Sequence, residues 1–105
     1  MTTFYKNAAV DLTTTNVTVV YTAPAAKTAI FKSILVSNDS GSADTITLSL
    51  TNAATAVFSL YKLEEVGALS TRELLEQPLV LETAEILKAQ AATAGRLHVV
   101  ASYME

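Results

Sequence analysis

Between Thr45 and Thr51 the chain alternates apolar and hydroxylated side chains without a break, with Ile46, Leu48 and Leu50 on one side and Thr45, Thr47, Ser49 and Thr51 on the other. A period of two buries one face and wets the other, so this stretch predicts a β-strand. The same short, β-branched texture recurs along the chain. Asn16 precedes a second strand, Val17, Thr18, Val19, Val20 and Tyr21. Ala23, Pro24, Ala25 and Ala26 end it, because proline donates nothing to a ladder and holds its predecessor extended. Thr28 to Asn38 reads as a central strand with two apolar faces, Ile30, Ile34 and Val36 on one and Phe31 and Leu35 on the other. The polar run from Asn38 through Gly41 to Asp44 is a turn by composition.

After small residues at Ala53, Ala54, Thr55 and Ala56, Val57 to Leu63 predicts another strand, and Glu64 to Leu69 reads as a wet loop. Ser70 with Glu73 fits the capping box of a helix. Pro78 would stop such a helix within two turns, so a short strand is the preferred reading of Ser70 to Glu76. Leu79 to Leu81 and Ile86 to Ala91 flank a turn at Thr83, Ala84 and Glu85, and Arg96 to Met104 closes the series with Leu97, Val99, Ala101 and Tyr103 on one face. Residues 1–12 place Phe4, Tyr5, Val10 and Leu12 among polar residues, as an N-terminal arm or edge strand would. About eight short strands and no convincing helix predict an all-β fold: one two-sheet antiparallel sandwich, jelly-roll-like, spanning residues 1–105.

Composition narrows the function more than it suggests one. Half of the 105 residues are apolar and 16% are charged, enough to build one core and too few charges to keep a chain disordered. There is no cysteine, which excludes disulfides and thiolate metal sites. No stretch is long and apolar enough for a membrane-spanning helix, and the first six residues lack a signal-peptide layout, so synthesis in a cytoplasm is expected. A net charge of −3 provides no attraction to nucleic acid or an anionic membrane. The acids are uneven: Glu64, Glu65, Glu73, Glu76, Glu82 and Glu85 are opposed in that stretch only by Arg72. A surface this sparse in charge suits self-association.

The residues able to carry chemistry are few. His98, the single histidine, lies between Leu97 and Val99 with no nucleophile or ligand set beside it in sequence, and reads as a surface or interface residue. Lys27 and Thr28 imitate the end of a phosphate-binding loop, but the glycines whose amides would cradle a phosphate are missing. Glu64 with Glu65, or Glu82 with Glu85, would need a cleft to act as an acid and base couple, and a solvated acidic face is the plainer reading. Asp39 and Asp44 flank Gly41 without the spacing of a calcium loop. The aromatics are scattered along the chain rather than grouped as a stacking platform, as core or interface anchors are. Phe4 and Tyr5, adjacent near a terminus, either pack on their own domain or dock on a neighbour. No catalytic, cofactor-binding or metal residue is assigned, no cofactor is expected, and the chain is read as a non-enzyme. The candidate interface residues are Phe4, Tyr5, Tyr61, Val66, Leu69 and His98.

Several phrases together, Tyr21 to Thr28, Val36 to Asn38, Leu79 to Glu82, Ile86 to Ala89 and Val99 to Glu105, resemble the small β-sandwich structural proteins of tailed-phage virions. Those proteins serve as head decoration or cement proteins and as neck or tail accessory components, and they often carry glycine where this chain has Ala26 and Gly-Asp where it has Ala84 and Glu85. The resemblance implies a virion protein made in a host cytoplasm that binds itself, as a symmetric homo-oligomer such as a trimer, and the major capsid protein. Head decoration is the leading expectation. A neck, tail or fibre-attachment protein is the nearest alternative, and a carbohydrate- or receptor-binding module the alternative of another class.

Overall fold

The computed structural model describes residues 4–105, so Met1 to Thr3, the start of the expected arm, lie outside the described residues. Nine antiparallel strands follow in order: β1 (Tyr5–Leu12), β2 (Thr18–Thr22), β3 (Ala29–Asn38), β4 (Asp44–Thr51), β5 (Val57–Val66), β6 (Ser70–Glu73), β7 (Leu79–Leu81), β8 (Ile86–Ala91) and β9 (Leu97–Met104). Sheet A has the order β1-β9-β3-β6, with β7 also paired to β3, and sheet B has the order β2-β8-β4-β5. The pairs β1·β9, β2·β8, β3·β6 and β4·β5 are successive rungs of one long antiparallel ribbon folded across two layers, which is the jelly roll. The ninth strand beyond the expected eight is β1, so the expected arm is an edge strand from Tyr5 onward.

The core lies between the sheets. Leu12, Phe31, Ile34, Ile46, Leu48, Leu81, Leu87 and Leu97 are fully buried. Strand β9 obeys the expected parity, with Leu97, Val99, Ala101 and Tyr103 inward. Strand β3 does not: Lys32 is an extra residue against β9, and this bulge flips the parity so that Phe31 shares the inner face with Ile34 and Val36. Ile30 and Leu35 therefore look outward. The strand is central, as expected, but only one of its apolar faces is covered.

The expected wet loop at Glu64 to Leu69 is shorter than its composition suggests. Strand β5 runs on to Val66, which pairs with Asp44 and is buried, leaving Gly67 to Leu69 as the turn. Arg72 of β6 explains the extension, since its guanidinium reaches the Glu64 carboxylate at 3.0 Å and donates to the Glu65 carbonyl at 2.9 Å. Leu63 adopts a φ of 54° at a bulge where the Thr47 hydroxyl accepts its N–H. Ser70 to Glu73 form a strand. Beyond it the chain leaves the edge of β3, and the Glu73 carboxylate accepts the Ile34 N–H at 2.8 Å, satisfying a backbone donor that the interrupted edge would strand.

Candidate interaction surface

Register across sheet A sets four rows of outward side chains. Asp11, His98, Ser37 and Thr71 form the first, and Ala9, Val100, Leu35 and Glu73 the second. Asn7, Ser102 and Ser33 form the third, with Lys32 beside them, and Tyr5, Met104, Ile30 and Val80 the fourth. Leu35, Val100 and Val80 remain 40%, 38% and 48% exposed, and Tyr5 81%. Small residues at Ala9, Ser33, Ser37 and Ser102 keep the face flat between them. Removing such a side chain from water is worth about 1 kcal/mol or more, which makes this face the candidate contact surface among the described residues.

Sheet B presents the opposite chemistry. Thr45, Thr47, Ser49, Lys88 and Gln90 occupy the outer centre, and its exposed apolar residues are confined to the edges, at Val57, Phe58 and Leu63 of β5 and at Val17 and Val19 beside β2.

The chemistry-bearing residues resolve into structural pairs. His98 lies between two carboxylates, with Nδ1 2.5 Å from Asp11 and Nε2 3.0 Å from Asp39. The Asp11 contact, then Asp39, holds its pKa above the ordinary histidine value, and with both ring nitrogens engaged the ring clasps β1, β9 and the turn after β3 together. Asp44, the other candidate calcium ligand, is buried and accepts the Thr45 and Thr93 N–H groups instead. Glu85 accepts the Glu82 N–H within its own turn. Among the described residues no three His, Asp or Glu side chains are arranged to hold a metal ion.

A second cluster closes the corner where β1 meets β2. Tyr21, Phe31 and Tyr103, from three strands, pack ring on ring, with Phe31 and Tyr103 stacked at 4.9 Å. Above them the Glu105 carboxylate, its side chain only 4% exposed, accepts from Lys6 at 2.7 Å and from the Tyr21 hydroxyl, with Lys27 at 3.7 Å. Lys6 first and Tyr21 second hold the Glu105 carboxyl below the usual carboxylate range, while burial and the same contact raise Tyr21. This corner fixes the start of β1 to the end of β9.

Comparison with family models, with curated proteins and with solved structures finds no match.

The six residues singled out in sequence occupy five places. Phe4 and Tyr5 stand exposed together at the β1 corner. Tyr61 lines a groove of about 320 Å³ at the far edge, between β5 and the segment joining β6 to β7. Leu69 caps the turn after β5 and His98 lies on the outer face of sheet A. Val66 is inside, 1% exposed, because the extended β5 turns it toward the core; the chain itself covers it. Leu35, Val80 and Val100 are outside that set; for Leu35 the signal is the second apolar face of Thr28 to Asn38, and Val80 and Val100 have none.

Proposed function

We propose that this protein is a non-enzymatic virion component of a tailed phage, a head decoration protein that lays the outer face of sheet A on the capsid shell. The observation that carries the reading is the pair of apolar rows Ala9, Val100, Leu35 and Met104, Ile30, Val80, on either side of the small polar row of Asn7, Ser102 and Ser33, on a two-sheet scaffold. A surface repeated over a shell needs little affinity per copy, and any copy bound to the assembled state stabilises it by mass action. The jelly roll is a fold that capsid proteins use, which supports the reading by analogy of fold alone.

The backbone is compatible with the same resemblance. Ala26 and Ala84, where this chain departs from the glycine that the phage proteins it resembles often carry, adopt φ values of 60° and 68°, in the left-handed region that favours glycine. The turns of this chain are thus of the kind those glycines would serve.

Co-sedimentation of the purified protein with emptied capsids of the phage that encodes it tests the proposal. Saturable adsorption with many copies per particle is expected, whereas a few copies at one vertex would favour the neck or tail reading. A second reading, glycan binding, draws on Tyr5 standing exposed beside Asn7, Lys32 and Ser102. Glycan-array binding without capsid adsorption would favour it.

A further inference from the structure

The polar side chains on the outer face of sheet A are of two kinds. At the Leu12 end of β1 they satisfy one another, His98 being held by Asp11 at 2.5 Å and by Asp39 at 3.0 Å. In the row of Asn7, Ser102 and Ser33 they do not. Among the described residues, none of these side chains, nor those of Lys32 and Tyr5 beside them, makes a hydrogen bond. Nor does Lys32 enter an ion pair among them.

Lys32 is the extra residue of the β3 bulge, between Phe31 and Ser33 and without a counterpart on β9. A bulge re-aims the side chain that it frees from the ladder. With Tyr5, Asn7 and Ser102, Lys32 lines an open hollow of about 330 Å³, completed by Lys6 and Tyr103. It thus opens onto the face of the sheet on the side of β9 and β1, away from the edge where β6 and β7 part. The other lysines of this corner are engaged, Lys6 with the Glu105 carboxylate at 2.7 Å and Lys27 with the same group at 3.7 Å. The one acid in the two adjoining rows, Glu73, accepts the Ile34 N–H.

Outward rows along a strand are about 7 Å apart, and this polar row has an apolar row on each side. A partner that covers Leu35 and Val100 on one side and Ile30, Met104 and Val80 on the other therefore covers Lys32 as well. An ammonium sealed from water without an opposite charge opposes binding strongly, and orphaned amides and hydroxyls add to the opposition. One uncommitted cation among neutral donors matches a single negative charge, as a carboxylate carries; the second charge of a phosphate would face no cation.

We propose that Lys32 is the charged anchor of this face, and that the shell surface under sheet A presents an Asp or Glu carboxylate to its ammonium, with Asn7, Ser33 and Ser102 satisfying the polar groups around the pair. The inference deepens the decoration reading and rests on it, because covering the face is what obliges the pairing. The apolar rows supply attraction and the lysine supplies selection, since a neutral or basic surface would leave Lys32 buried and unpaired.

Carbodiimide joins a lysine amine to a carboxylate where the two are in contact, so emptied capsids of the encoding phage are coated with the protein, treated and digested for mass spectrometry. The expected product is an amide between Lys32 and an Asp or Glu of a shell protein, with none through Lys88 on the outer face of sheet B. Lys32→Gln should adsorb about tenfold or more weakly, with a flatter dependence on salt, while Lys32→Arg and Lys88→Gln adsorb as the unmodified protein does. Adsorption by Lys32→Gln as tight as that of the unmodified protein, or tighter, would overturn the pairing and leave the decoration reading standing. Unmodified protein that never adsorbs would remove both. If Lys32→Gln instead loses binding to acidic glycans while capsid adsorption is unchanged, the same donors serve a sugar and the shell carboxylate is overturned.

Discussion

The outer faces of the two sheets are built on the same alternation and carry opposite surfaces. On sheet B the outward positions of β4 and β8 are mostly polar, Thr45, Thr47, Ser49, Lys88 and Gln90, with Ile86 the apolar exception at the start of β8. On sheet A the matching positions of β3 and β9 set Ile30, Leu35, Val100 and Met104 among Ser33, Ser37, His98 and Ser102. The inner faces show no such difference, since both contribute fully buried aliphatic side chains to one core. Folding therefore accounts for the inside of both sheets and the outside of sheet B. It leaves the outside of sheet A unexplained unless something covers it.

The inner faces supply the largest expected effect. Phe31→Ala under sheet A should cost about 3–5 kcal/mol and Leu48→Ala under sheet B about 2–5 kcal/mol in denaturant unfolding, because both side chains are completely buried. A much smaller loss under either sheet would mean that the two layers do not share the core as described.

Next in size is the corner that pins β1. Glu105→Gln keeps an acceptor for Tyr21 but removes the charge facing Lys6 and Lys27, and should cost about 1–2 kcal/mol at neutral pH. The Glu105 carboxyl titrates below its ordinary range when folded, so its contribution is complete above that range and is lost as the pH falls through the lowered value. The difference between the two proteins should close in acid.

Turn strain gives an effect of opposite sign. Ala84→Gly relieves a φ of 68° at some entropic cost to the unfolded chain, for a net gain of up to about 1 kcal/mol read as a raised Tm. The smallest effect belongs to His98. Its folded pKa is raised by Asp11 and Asp39, so the clasp contributes fully below the unfolded value of about 6.5 and is lost as the pH rises through the raised one. For a pair this open to solvent the loss should not exceed about 1 kcal/mol, and His98→Gln should abolish that part of the pH dependence.

Much of the fold was legible in the sequence, because strands with one covered face write their period into the chain. Local insertions were not. Lys32 looks like any outward residue, yet as a bulge it reverses the parity of β3 and moves Phe31 to the core. Glu64 and Glu65 look like loop residues until Arg72, seven positions after Glu65, binds them into β5. The candidate surface was harder still. An exposed Leu35 and a buried Ile34 are equally apolar, and only the absence of a third layer over sheet A among the described residues separates them. Likewise the carboxylates that clasp His98 come from 87 and 59 positions away, a pairing that no local pattern records.

The most direct test sets the two faces against each other in capsid adsorption. A Leu35→Lys/Val100→Lys double variant and a Thr45→Lys variant should unfold within about 0.5 kcal/mol per site of the unmodified protein, since all three positions point outward. The sheet A variant should bind emptied capsids at least about tenfold more weakly, a change of about 1.4 kcal/mol, while the sheet B variant binds as before. Equal binding by both, or a loss confined to the sheet B variant, would contradict the assignment of sheet A as the adhesive face.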